Sequence, residues 1–232
     1  MKLLIVGGVA VLFITGIVQF LFPQNAIAPQ PAVSTFVPEP SPVENNNATT
    51  SLEVKKVTVT SSTHATPVLS SIAKGDTIAS WTFKGAYTDN SDLIAKAEAE
   101  ITRLSGLLGK GTYPDVSLYV GIANQYELLG DGEQQYDYLG RAIKVGGITG
   151  LPWHNLGVLM ERLGALETAR VAYEKSTRIQ PEMKFYHYAY FEFLTTRMKD
   201  NAVAIEKEYA AALSNLGQDT DIEQLRSEWK NS

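Results

Sequence analysis

Residues 151–181 read LPWHNLGVLMERLGALETARVAYEKSTRIQP, and this stretch decides the fold. Trp153, Leu156, Gly157, Met160 and Leu163 recur at three- and four-residue steps, so they share one face of a helix whose first turn holds Pro152. Gly164 breaks that run. A second helix over 165–179 sets Leu166, Ala169, Tyr173 and Ser176 on one side, and Pro181 ends it. Large Trp153 and Tyr173 set against small Gly157 and Ala169 give the complementarity that two antiparallel helices need to interdigitate at about 8–10 Å. On this reading Trp153→Ala costs about 3–5 kcal/mol, the usual effect of emptying an aromatic site in a core.

Taken together, Trp153, Leu156, Gly157, Gly164, Ala169, Tyr173 and Pro181 resemble the packing positions of a tetratricopeptide repeat. Counting back by that family's repeat length places Tyr119, Ile122, Ala123, Tyr126, Gly130 and Ala142 on the same positions without a gap. Gln135 stands there where a small residue is expected and Gly147 where Pro is usual, so the second helix of that pair is expected to pack loosely or end early. Counting forward by the same length gives Tyr190, Phe191 and Leu194, with Phe191 replacing the small residue that allows close approach. The helices of this third pair are still legible over 183–198 and 201–216, joined at Lys199-Asp200 and ended by Gly217.

Two further helices flank the pairs. One spans 92–108, capped by Asn90 or Ser91, with Ile94, Ala97, Ile101, Leu104 and Leu108 as its stripe. The other spans 219–230, with Ile222, Leu225 and Trp229 on one face and charges on the other, the composition of a solvating terminal cap. The fold expected over 90–230 is all-α, a tetratricopeptide-like α-solenoid of antiparallel helix pairs with capping helices.

The chain before residue 90 reads differently. Residues 3–22 carry no charge, and fourteen of them are Leu, Ile, Val or Phe. At about −0.4 kcal/mol each on an insertion scale they supply roughly −6 kcal/mol, which marks residues 1–22 as a transmembrane anchor. Lys2 lies on one side of the run and no further Lys or Arg occurs until Lys55, so the positive-inside bias puts the rest of the chain outside the cytoplasm. The rival reading is a signal peptide cut after Ala26-Ile27-Ala28, which would yield a secreted protein. Residues 23–51, rich in Pro, Ala, Ser, Thr and Asn, read as a disordered linker of about 30 Å if flexible and up to about 90 Å if polyproline-like. Within 52–89, Val57 and Val59 alternate with Thr58 and Thr60, Trp81 and Phe83 flank Thr82, and Lys74-Gly75-Asp76 reads as a turn. Short extended segments are expected, with Trp81 and Phe83 lying against the first helix of the domain; a ligand-stacking Trp81 is the alternative.

Composition narrows the function. The 232 residues include no cysteine, which excludes disulfides, a thiol nucleophile and a thiolate metal site. The net charge of −5 falls after residue 90, where 15 Lys and Arg face 20 Asp and Glu, and this argues against a nucleic-acid partner. His64, His154 and His187 stand in unrelated segments, with no metal-binding, nucleophile or phosphate-loop motif around them. No catalytic residue, cofactor or metal is expected, and the chain reads as a non-enzyme.

The resemblance implies a binding groove lined by the first helix of each pair. Carried across position by position, the groove takes Ser117, Val120, Asn124, Glu127 and Leu128 from the first pair. The second supplies Leu151, His154, Val158, Glu161 and Arg162, and the third Phe185, Tyr188, Glu192, Thr195 and Thr196. Some members grip a terminal carboxylate with a basic clamp, and Asn124 and Asn155 match two of its positions. Val120, Phe185 and Ala189 stand where its basic residues should be, so that specificity is not expected. The reading is a membrane-anchored protein–protein interaction module of a bacterial envelope, taking a protein or peptide partner in the groove. The alternative is an accessory domain of an envelope-processing or assembly enzyme without its own active site.

Overall fold

The computed structural model describes residues 72–232. The readings of an anchor over 3–22, a linker over 23–51 and strands at Val57 and Val59 lie outside the described residues. No helix among the described residues is long and apolar enough to cross a membrane.

The described chain is all-helical. Its elements are α1 (Ser91–Ser105), α2 (Asp115–Leu129), α3 (Gly132–Val145), α4 (Leu151–Arg162), α5 (Leu166–Ile179), α6 (Lys184–Arg197), α7 (Ala202–Leu216) and α8 (Thr220–Lys230). Each of α1 to α7 packs on its neighbours in sequence, and α8 packs on α6. Asn90 starts α1, its Oδ1 accepting from the Asp92 and Leu93 amides at 3.1 Å. That helix ends at Ser105, before its apolar stripe runs out. Leu107 and Leu108 still pack on the Leu104, Leu118 and Ile122 cluster from the turn that follows.

The repeat register appears as recurring hydrogen bonds. The Gly130 amide donates to Glu127 O and the Asp131 amide to Tyr126 O, each at 3.0 Å. One repeat length on, Gly164 and Ala165 do the same, donating to Glu161 O at 3.0 Å and Met160 O at 2.9 Å. Both glycines are left-handed, at φ 79° and 78°, the turn that closes a helix by this pair of bonds. α3 and α5 end in register too, at Val145 and Ile179, so α3 is not shortened by Gly147. Gln135 is buried rather than loosely packed, with its Oε1 unpaired. Between α4 and α5 a Cβ on Gly157 would come within 2.7 Å of the Tyr173 ring, so only glycine lets these helices approach. Trp153 departs from expectation. It is half-buried at the edge of the core, with Lys175 Nζ 4.0 Å from its ring centroid, instead of filling the interface.

Residues 72–90 form no strand pair. They run as a strap across the turns of two helix pairs, with an isolated bridge between Thr82 and Asp131 at the first. Phe83 N donates to Gly130 O at 3.1 Å, Gly132 N to Trp81 O at 2.8 Å, and Tyr87 N to Leu128 O at 2.9 Å. The approach is close enough that a Cβ on Gly130 would stand 2.1 Å from Phe83 O, and one on Gly85 2.2 Å from Leu128 O. Trp81 meets the Tyr136 ring of α3 at 5.2 Å and Phe83 lies under the Arg162 guanidinium at 4.6 Å. These partners correct the expected docking on α1. The strap seats on helix ends, where unpaired backbone groups are available to it.

The turn at Lys74-Gly75 then brings Asp76 to the start of α5. Its carboxylate accepts from Thr168 N at 2.7 Å, Glu167 N at 3.3 Å and the Thr168 hydroxyl at 2.7 Å, while the Ala73 amide donates to Thr168 Oγ1 at 2.9 Å. At the matching start of α3, Asp131 caps its own helix through Gln134 N at 3.0 Å. Ala165, at the equivalent position of the second pair, has no side-chain acceptor, and Asp76 of the strap fills that place.

Candidate binding face

The first helices α2, α4 and α6 are cross-linked along one face by polar side chains. Asn155 Nδ2 donates to Asn124 Oδ1 at 3.1 Å. Arg162 pairs with Glu127 at 3.0 Å, and Arg197 with Glu161 at 3.5 Å, so the same acid–base step occurs between successive first helices. The pairs are partly exposed and worth at most about 1 kcal/mol each; their effect is to fix the spacing of the helices and to occupy the charges. Glu161 also accepts from the Tyr173 hydroxyl at 3.1 Å.

Of the groove residues expected from sequence, this face brings together Asn124, Glu127, Glu161 and Arg162, with Val158 half-buried among them. Arg162 is held between Glu127 and the Phe83 ring of the strap, so it is a structural tie with its charge already used. Tyr188 is half-buried on α6. Partial burial and the carboxylates of Glu192, Asp221 and Glu228 raise its hydroxyl above the ordinary value. Phe185 is exposed; Glu192 is exposed over the whole residue, but its carboxyl end is partly desolvated beside Glu161, and both effects raise it above the ordinary value.

His154 does not line the groove. It is 4% exposed, enclosed by Tyr173, Phe185 and Tyr186 at ring distances of 5.6, 4.6 and 5.6 Å, with Nδ1 unpaired. Burial without a partner pushes its pKa down to about 4, so the ring is neutral near pH 7 and belongs to the core, which corrects its expected place. Val120 and Thr195 are buried as well, the Thr195 hydroxyl turned back onto Phe191 O at 3.0 Å.

Three features escape a residue-by-residue reading. The sequence marks Asn155 only as half of a carboxylate clamp, whereas its partner is Asn124. Arg197 follows Arg162 by one position more than the repeat length, a recurrence visible in the sequence once the two ion pairs are known. The buried contact of His187 with Glu208, Nδ1 to Oε1 at 2.6 Å, joins two helices and leaves no local pattern.

Among the described residues no three His, Cys, Asp or Glu side chains converge as metal ligands would. No family model, curated protein or solved structure matches this chain. The tetratricopeptide resemblance therefore rests on the chain's own register.

What the face offers chemically is a pair of amides between apolar and charged neighbours. Asn124 Oδ1 is taken by Asn155, which leaves the Asn124 NH2 group and Asn155 Oδ1 without a partner among the described residues. A donor and an acceptor side by side match the carbonyl and N–H of a peptide backbone.

Proposed function

We propose that the chain is a tetratricopeptide-like protein–protein interaction module, anchored in a cell membrane through residues 3–22 with its helical domain on the extracytoplasmic side. An extended segment of a partner protein lies along the exposed face of α2, α4 and α6. Its backbone bonds the Asn124–Asn155 pair, and its apolar side chains rest on Val158 and Phe185. The observation that carries this reading is the amide pair itself. It is half-buried, linked across two helices, and keeps amide N–H donors and the Asn155 Oδ1 acceptor available where the neighbouring Glu127, Glu161, Arg162 and Arg197 are already paired. A backbone amide takes the place of solvent at these groups without breaking an ion pair.

The test is site-specific photo-crosslinking in the full chain, in its native membranes, from position 158 and from exposed Lys144 on α3. A discrete protein adduct from position 158 and none from position 144 supports the reading. An adduct from 144 alone, or from neither, overturns it. Intact mass of the same membrane preparation should retain residues 1–28; a chain beginning at Pro29 would replace the anchor with a secreted protein.

A further inference from the structure

The third helix pair also departs from the second at the position of Trp153. One repeat length after Trp153 the chain has His187, a smaller side chain. Trp153 is covered by Lys175, whereas His187 is buried, with Nδ1 2.6 Å from Glu208 Oε1 and Nε2 2.9 Å from Pro181 O. Beside it, between α5, α6 and α7, lies a cavity of about 210 Å³ bounded by Pro181, His187, Tyr190 and Glu208. The volume corresponds to roughly seven waters at ~30 Å³ each, room for a small organic molecule.

The wall chemistry selects the ligand. Glu208 is 4% exposed; one carboxylate oxygen takes the His187 ring, and the other has no hydrogen bond to any described residue. Glu174, also lining the cavity, holds Arg178 and Lys207 on one oxygen at 2.7 Å each. Those two basic side chains are 66% exposed and so lie at the mouth. The second Glu208 oxygen therefore offers the cavity an acceptor beside the apolar surfaces of Tyr190 and Pro181, while burial raises this carboxyl above its ordinary value and the His187 ring works the other way. A buried ion pair adds little stability over well-packed apolar residues, so stability alone does not account for a charged floor beneath an open cavity.

We propose that this cavity binds a slender organic cation, an ammonium or guanidinium group on a short alkyl chain, with Glu208 accepting its N–H bonds. It is a second site, separate from the amide pair and independent of the reading given for that face.

Calorimetric titration of the full chain with n-pentylamine and with agmatine tests it, with n-pentanol as the uncharged match. Saturable binding of both amines at one site is expected, at least about tenfold tighter than the alcohol. Glu208→Gln keeps the shape and a hydrogen-bonding partner for His187 and should weaken the amines by at least about tenfold. His187→Trp restores the bulk found in the second pair and should abolish binding by filling the space. No saturable heat from either amine in the millimolar range, equal affinity for the alcohol, or amine binding unchanged in a folded variant would each overturn the proposal. Should either variant fail to fold, the amine-against-alcohol comparison on the unaltered chain still decides.

Discussion

The first and second helix pairs close by the same hydrogen bonds one repeat apart, yet their turns are finished by different parts of the chain. At the first turn Asp131 caps α3 from within, and the strap lies so close that Gly130 has no room for a side chain. At the second, Gly164 has nothing within 4 Å of a would-be Cβ, Ala165 offers no cap, and Asp76 supplies it from the strap. A repeat thus dictates where a helix ends. What satisfies that end depends on what else reaches it.

The largest effect should come from substituting the matched glycines. Gly130→Ala combines a left-handed backbone with a 2.1 Å clash against Phe83 O and should cost about 3 kcal/mol or more in urea unfolding. Gly164→Ala carries only the backbone penalty and should cost about 1 kcal/mol. Equal losses would mean that the strap does not press on the first turn.

The histidines of the second and third pairs should divide the pH profile between them. His154 falls to about 4 when folded, from an ordinary 6.5, so between those values the unfolded chain binds the extra proton and stability falls as pH falls. The loss at the acid end is roughly 3 kcal/mol, and His154→Phe should remove it. At His187 burial acts to lower the pKa, but the hydrogen bond and charge of Glu208 and the Pro181 carbonyl outweigh it and raise the group. Its contribution is fully present below 6.5 and is lost as pH rises through the raised value. Thermal midpoints across pH 4 to 9 in the two single variants would separate the limbs; a profile unchanged in both would show that neither ring titrates as its surroundings require.

The caps should matter less than Gly130 or the His154 limb. Asp76→Ala and Asp131→Ala should each cost about 1–2 kcal/mol, Asp76 the more because it also holds the Thr168 hydroxyl. A negligible loss at Asp76 would leave the second turn without a cap and break the comparison.

The helices are legible in the sequence because their determinants are local and periodic: apolar steps of three and four, Asn90 as a cap, and glycines at turns. Even the third pair, with Phe191 in a small-residue position, begins and ends within a residue of expectation at α6 and α7. The strap is not legible. Trp81 and Phe83 alternate as strand residues do, but their partners are helix ends far along the chain, and backbone bonds to Gly130 and Gly132 leave no side-chain pattern. Its place in the repeat alone puts His154 in the groove. Phe185 and Tyr186 from α6 close over it, a contact set by the next pair and absent from the helix's own periodicity. The amide pair is half legible, since both asparagines stand out but their hydrogen bond needs the helix spacing.

The strap's role in closing the second pair is tested most directly by hydrogen exchange at single amides in the full chain, comparing the unaltered protein with Asp76→Ala. Thr168 and Glu167, whose N–H groups Asp76 accepts, should lose protection in the variant, while Gln134, capped by Asp131, should keep its own. Unchanged exchange at Thr168, or equal loss at Gln134, would contradict the account of a cap supplied from the strap.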